Sequence, residues 1–549
     1  MHFILGLTVG KSIWEPYLFW GSSEANAAGP GSFDGPRRFL EWARPIDLFY
    51  QYQAYCESSG DVSASFTTFR NIMKPIFRSH LGFRQKGDFG QCDVCYKLRS
   101  KIRKAETKAL KNAATKAYTR HLLSQWLDRA FYWSQRALSR QWFTQAWQWG
   151  RKLEQSILGN SVLCIIQDGM DQSKLRVPRC GYNAVSKGMT KLYRPALHLI
   201  GTFAHGHKLR LSVTDEDLKK NSETSVECLA LALSQVIESH GKLPLTFHLQ
   251  QDNCFREGKN KYMVGWCLML VILGAVRFSS LGFLRTSHSH EDIDQAFGQV
   301  ARLLMGKVIS SADELVAILN DAVTSESRIR GSSAEASKLD EVANWKDFTQ
   351  QLGLSFKGLR RVHYFRFLRR KDLGSDVLDN VLELEEYGRR WVPHEDDIFL
   401  TTKRWLADKQ VARALVVVPA SLAAEIRKGY QDPQGVTIRK TIVHKMRQNL
   451  EKLVPSLRST GELTRQGSDY LLNWCKGKLY RYPRPQSYPI LSYRFTADFD
   501  QPHVPGQWAR PNRVKHFDLA LEAEDLGHEQ SSDSSGTDDA CLDLPEGFG

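Results

Sequence analysis

Three aspartates make this chain a candidate for metal-dependent phosphodiester chemistry. Asp168 ends an apolar run in SVLCIIQDGMDQSK, Asp252 closes a second run in LTFHLQQDNC, and Asp294 lies in HSHEDIDQAF at the start of a helical pattern. Cleaving or transferring a phosphodiester requires an activated hydroxyl and a stabilised leaving oxygen. Two Mg²⁺ or Mn²⁺ ions about 4 Å apart supply both, and carboxylate oxygens are the hard ligands that hold them. His288 and His290, just before the third acid, are of a type that can orient a phosphate, protonate a leaving group or cap the helix. Glu291 and Asp292 crowd the same helix start, where the macrodipole favours acids, so capping is the role expected of them. Asp171 is the alternative to Asp168, in what reads as the following loop. Lys174, Arg176 and Arg179 come next and suit either phosphate contact or a solvated loop.

The elements that must position these acids are legible from period and punctuation. SVLCIIQD reads as a strand, and PALHLIGTF and KLRLSV as a hairpin across the AHGH turn. NSETSVECLALALSQVIESHG has an Asn-Ser cap, helical periodicity and a terminal Gly241. PLTFHLQQD is a fourth strand, NKYMVGWCLMLVILG a buried helix closing on Gly274, AVRFSSLGFL a fifth strand. HEDIDQAFGQVARLL is a third helix with Ile293, Phe297, Val300 and Leu304 on one face. The order β-β-β-α-β-α-β-α is that of ribonuclease H. In that order the first strand is central and the fourth lies beside it, so Asp168 and Asp252 share one sheet edge and the last helix brings Asp294 across it. The expected fold is therefore α/β: a ribonuclease H-like mixed five-stranded sheet with flanking helices, a basic α-helical module before it and a mixed C-terminal region after it.

The remaining chain is expected to divide into an irregular segment over 1–60, the helical module over 61–155, the catalytic domain over 156–320, a mixed domain over 321–517 and an acidic, disordered tail over 518–549. The net charge of +15 conceals an asymmetry: the tail holds ten acids and no Lys or Arg, leaving +25 on the first 517 residues. A body that basic points to a polyanionic partner, with a soluble basic protein that has no nucleic-acid partner as the alternative. Between Lys97 and Arg120 nine bases meet one acid, Glu106, and Lys97, Arg99, Lys101, Arg103 and Lys104 are the candidate phosphate contacts. The opposite charges of tail and arm suggest an autoinhibitory fold-back.

Ten scattered cysteines fit a reducing compartment better than a disulfide framework. Cys92-x₂-Cys95 after Gly-Asp-Phe-Gly is a zinc-knuckle-like half-site, with His121 as the nearest third ligand and His80 or Cys56 for the fourth; a pair of buried thiols without metal is the alternative. WCLMLVILGAV is too short to span a bilayer, and MHFILGLTVGK lacks a basic leader or a cleavage site, so no membrane association is expected.

Four stretches, QCDVCYKLR, HLLSQWLDRAFYW, IIQDGMDQSK with TDEDL, and QQDNCFREGKNKYM with FLRTSHSHEDIDQAF, resemble a largely uncharacterised, transposon-derived family that is expanded in some protist genomes. That family looks related to DDE/DDD transposases and retroviral-type integrases. The likeness is good over about residues 60–320 and looser over the C-terminal part. Ser287-His288-Ser289 stands where the family has Gly-His-Thr, and Asp294 falls on its final Asp. The resemblance implies a nuclear, DNA-binding transposase with Asp168, Asp252, Asp294 and His288 at its catalytic centre, acting alone or as a homo-oligomer. Two other readings share these residues: a domesticated, inactive transposase that binds nucleic acid, and a nuclease acting on RNA/DNA hybrids or free ends.

Overall fold

The computed structural model describes residues 38–40, 60–79, 81–83, 92–148, 161–179, 193–285, 291–324, 333–372, 385–386, 389–390, 394–406, 413–440, 444–459, 463–479, 481–495 and 515–518. It also describes positions 46, 49, 52, 53, 56, 408 and 461. The chain forms two compact units, residues 1–127 with 520–549 and residues 128–519. The expectations for the N-terminal 37 residues, for His80, for Ser287 to His290 and for the tail beyond Asp518 fall outside the described residues.

Helix α1 (Asp93–Lys104) lies in the first unit, and the long helix α2 (Lys108–Gln148) begins there and has its residues from Asp128 on in the second. Cys95, Tyr118 and Leu122 form a small buried cluster, with Leu98 and Ile102 packed against it. Lys97, Lys101, Arg103 and Lys104 project from α1 into solvent.

The second unit is built on a nine-stranded sheet. Its strands are β1 (Val162–Gly169), β2 (His198–Ala204), β3 (Lys208–Thr214), β4 (Thr246–Gln251), β5 (Phe278–Phe283), β6 (Ser333–Lys338), β7 (Tyr364–Arg369), β8 (Ile398–Lys403) and β9 (Arg413–Val418). Their order across the sheet is β9-β8-β7-β5-β4-β1-β2-β3-β6. β1, β2 and β3 run antiparallel in succession, β4 is parallel to β1 and β5 parallel to β4. The five expected strands thus occupy the centre in the expected order, but the sheet is wider than the five strands the sequence suggested. β6 adds in parallel to β3, and β7, β8 and β9 add antiparallel beyond β5. The added strands all come from residues after 332, and they pair with the two strands that would otherwise be the edges of the five-stranded sheet.

Side chains alternate between the two faces of the sheet. Leu163 and Ile165 of β1 and Phe247 and Leu249 of β4 enter the main core with α3 (Ser222–His240) and α4 (Lys261–Ile272). Asn221 caps α3 through its side-chain oxygen, and Gly241 ends it at a φ of 70°, a backbone conformation that favours glycine. In α4 every residue from Met263 to Ile272 is buried. A helix apolar on all sides has no solvent face to present, which identifies it as interior. On the other sheet face lie Phe131, Tyr132 and Arg136 of α2 and helix α5 (Asp292–Leu303), whose Ile293, Phe297 and Val300 are buried together with Leu304. Among the described residues no helix is long and apolar enough to cross a membrane.

Candidate functional site

Strand pairing brings the first two aspartates together. The parallel register of β1 and β4 runs to Ile166 opposite Gln250, and Asp168 and Asp252 each lie two residues further on. Neighbouring strands are about 4.8 Å apart, and residues in register share a face, so the two carboxylates stand side by side at one sheet edge. Each is partly satisfied locally: an Asp168 oxygen accepts from the Gly169 N–H at 2.7 Å, and an Asp252 oxygen accepts from the Cys254 N–H at 3.0 Å.

Close packing of α5 brings in the third. Gly201 of β2 lies opposite Asp168. A methyl group at Gly201 would sit 2.7 Å from Ile293 Cδ1 and 3.1 Å from the Phe297 ring. The bare glycine therefore lets α5 approach the strand, and Asp294 in its first turn reaches the same edge. The start of α5 is held firmly. Glu291 is its N-cap and forms a reciprocal capping box with Asp294, whose Oδ2 accepts from the Glu291 N–H at 2.8 Å. Asp292 is buried, accepting from the Tyr132 hydroxyl and from Arg136, both at 2.8 Å. Glu291 accepts from Trp133 Nε1 at 3.1 Å and pairs with Arg129 at 3.1 Å. Glu291 and Asp292 are thus anchoring groups that tie α5 to α2.

The electrostatics show the three acids acting on one another. Burial, then the charges of Asp252 and Asp294, push the Asp168 carboxyl up to about 7. Asp252 is raised too, by burial and then by Glu257 and Asp294. Two groups here escaped the sequence reading. Glu257, five residues past Asp252, is a fourth carboxylate, and Lys220 pairs with it at 3.0 Å. The Lys220 charge favours the ionised forms of both Asp168 and Asp252. An acid so close behind Asp252 was a usable signal for Glu257; nothing in the spacing of Lys220, just before a helix cap, announced it.

The other predicted residues are placed as follows. Arg176 is exposed, and Lys174 belongs to the short 3-10 turn Gln172–Leu175. Arg99, expected on the basic face, is half-buried; its Nε donates to the Tyr118 hydroxyl at 2.7 Å and its guanidinium lies 5.3 Å from that ring centre.

In the first unit, Cys92, Cys95 and His121 converge. Their ligand atoms all lie within 4.8 Å of one another, a grouping that could hold a metal ion. Cys92 is the N-cap of α1 and Cys95 lies in its first turn, so one helical start presents both thiols. His121 Nε2 is 3.4 Å from Cys92 Sγ, and the Gln125 amide contacts both His121 and Cys95. Contact with Cys92, then burial, pushes the Cys95 thiol far above its ordinary range. Among the described residues, Asp168, Asp252 and Asp294 are not grouped within the same 4.8 Å limit.

A family model described only as a domain of unknown function, DUF7869, matches residues 187–378, a span that holds Gly201, Lys220, Asp252, Glu257 and Asp294 but not Asp168. No curated protein and no solved structure matches the chain.

Proposed function

We propose that this chain is a transposase- or integrase-like DNA-binding protein that hydrolyses or transfers phosphodiesters with divalent metal at Asp168, Asp252 and Asp294. The observation that carries the reading is the convergence of three mutually repelling carboxylates on one sheet edge, with Asp168 pushed up to about 7. Such a cluster is destabilised by its own charge and stabilised by a bound cation. The donors are hard oxygens, the type that Mg²⁺ and Mn²⁺ take, and a pair of such ions is what phosphodiester chemistry uses. The central strand order β5-β4-β1-β2-β3, with its three antiparallel strands and two parallel ones, supports a ribonuclease H-like assignment.

When bound, a pair of such ions would activate the attacking hydroxyl and stabilise the departing oxygen. The chain's own groups do the positioning: β1 and β4 fix two carboxylates, and the α2–α5 anchor fixes the third. Strand grip falls to exposed bases. Arg256 and Phe255 are exposed in the loop after Asp252, and the Arg360 guanidinium lies 5.1 Å from the Phe255 ring centre. An exposed aromatic beside cationic groups suits a nucleotide, whose base can stack while its phosphate is neutralised. Lys97, Lys101, Arg103 and Lys104 supply further phosphate contacts in the first unit. Zinc is the ion best matched to Cys92, Cys95 and His121, since two thiolates and an imidazole are the donors it takes in structural sites. The nucleus, where the DNA substrate resides, is the proposed location, with self-association as the arrangement for joining two ends.

The second reading is a binding scaffold of transposase descent without catalysis. It is favoured by one observation, the engagement of Asp294 as a helix cap. Incubating the purified protein with labelled duplex DNA, single-stranded DNA and RNA/DNA hybrid, with Mn²⁺ or with EDTA, separates these readings. Cleavage or joining of DNA that EDTA abolishes supports the enzyme. Tight DNA binding with intact substrate in every tube supports the scaffold, and cleavage of the hybrid alone would assign a hybrid-specific nuclease.

A further inference from the structure

Lys220 immediately precedes Asn221, the residue that caps α3, and the backbone there is fixed: the Thr224 hydroxyl donates to the Lys219 carbonyl at 2.6 Å. From this anchored point the lysine side chain extends over the end of β1. A methyl group built on Gly169 would lie 2.3 Å from Lys220 Nζ and 2.4 Å from its Cε, so the ammonium lies directly over the Gly169 backbone, next to Asp168 in the chain. The Lys220 side chain is 13% exposed, and its Nζ is 3.0 Å from Glu257 Oε2. Arg256 also meets Glu257, at 3.3 Å, but its side chain is 65% exposed and its charge is largely screened by water. Lys220 is thus the sheltered cation of a cluster holding Asp168, Asp252, Asp294 and Glu257, and its charge acts on the first two.

We infer that the Lys220 ammonium is the internal counter-ion of this carboxylate cluster, neutralising it in the metal-free protein and yielding its place when a divalent cation binds. The inference rests on the metal-dependent reading proposed above. An ammonium paired with Glu257 and a divalent ion held by the neighbouring aspartates repel each other strongly in a sheltered site. Metal loading therefore requires the lysine to swing away, and its long, flexible stem with a compact charge permits that. Lys220 would set the metal affinity of the site without being one of its ligands. Once displaced, the ammonium would remain within reach of a bound phosphate.

The test uses the full-length protein in two measurements. Calorimetric titration with Mn²⁺ compares wild type, Lys220→Met and Lys220→Gln, the last retained in case the methionine variant folds poorly. Removing the counter-ion is expected to tighten Mn²⁺ binding by about tenfold or more. Thermal melting without metal compares wild type, Lys220→Met, Asp252→Asn and the double variant. Lys220→Met is expected to lower the melting temperature, and to lower it less once Asp252 is neutralised. Mn²⁺ binding by wild type that neither lysine variant tightens would overturn displacement while leaving the metal reading intact. No Mn²⁺ binding by any of the proteins would overturn both. Equal losses of melting temperature with and without Asp252→Asn would overturn the counter-ion role itself.

Discussion

Gly201→Ala tests the geometry that assembles the candidate site, because it perturbs the third acid without touching any carboxylate. The added methyl would meet Ile293 Cδ1 at 2.7 Å and the Phe297 ring at 3.1 Å, where ordinary contact begins at 3.4 Å. Relief requires Ile293 to change rotamer or α5 to move outward by about 0.7 Å, and overpacking of this kind costs about 1–3 kcal/mol. The effect on activity should exceed the effect on stability. Misplacing a reacting group by about 1 Å can lower a rate by about a hundredfold, and Asp294 rides on the helix that must retreat. Gly201→Ala is therefore expected to lower the melting temperature modestly and DNA cleavage about ten- to a hundredfold. Adding Ile293→Val removes the Cδ1 atom in collision and should restore part of both. Urea unfolding and metal-dependent cleavage, measured on the single and double variants, read these effects. Unchanged stability and activity in Gly201→Ala would refute the close approach of α5, and an Ile293→Val addition that only worsens matters would refute the collision as its cause.

Three further outcomes follow from other parts of the molecule. Glu227 is buried and accepts from Trp345 Nε1 at 2.8 Å, the Ala343 N–H at 2.9 Å and the Tyr488 hydroxyl at 2.7 Å. Glu227→Leu should cost about 2–5 kcal/mol by leaving the Trp345 and Ala343 donors unpaired, while Glu227→Gln keeps those bonds and costs far less. Burial raises the Glu227 carboxyl above its ordinary 4.5, so the folded state holds the proton more tightly than the unfolded chain. The contribution of this group to stability therefore falls as pH rises through 4.5 and levels off above the folded pKa, and urea midpoints of Glu227→Gln should lack that part of the slope. Arg136→Met strips the buried Asp292 of its guanidinium partner at 2.8 Å, leaving the Tyr132 hydroxyl, and should destabilise the protein by about 3–5 kcal/mol, read by the same unfolding assay. Metal analysis should find one zinc per chain in wild-type protein purified without chelator, and much less in Cys95→Ser and His121→Ala; equal content in all three would exclude this cluster as the site.

The centre of the fold was legible because its signals are local. Asn221 and Gly241 punctuate α3, and Asn260 caps α4 in the same way. The alternation of β1 and β4 sets their faces. Four strands were not read, for different reasons. In β6 the sequence Ser-Ala-Glu-Ala-Ser-Lys lacks β-branched and aromatic residues; it is held by pairing with β3 and by Glu335, which meets Lys208 at 2.9 Å and Arg210 at 3.0 Å. Such cross-strand ion pairs have no signature in one strand alone. In β7 the arginines within and around Tyr364–Arg369 hide its strand character, although the strand pairs on both sides, with β5 and β8. β8 and β9 are short apolar runs, and nothing local specifies that they extend the edge of a sheet begun more than a hundred residues earlier.

The candidate site divides in the same way. Asp168 and Asp252 could be paired from strand order, since one lies at the end of β1 and the other just past β4 at the same register. Asp294 could be distinguished from Glu291 and Asp292 by position but not by burial, and Asp292 owes its inward role to Tyr132 and Arg136, about 160 residues earlier in the chain. Gly201 carried a readable hint, a glycine in the middle of a strand, whose meaning lay in the distant Ile293 and Phe297. Lys220 carried none, because its place in the cluster depends on a loop and a helix cap meeting the end of β1.

The most direct test of the metal-dependent assignment is Mn²⁺-dependent cleavage of labelled DNA by wild type beside Asp168→Asn, Asp252→Asn and Asp294→Asn, with folding of each variant verified by circular dichroism. Cleavage by wild type that each of the three folded variants loses is the expected result. Undiminished cleavage by any folded variant, or no cleavage by wild type that binds the same DNA, would contradict it.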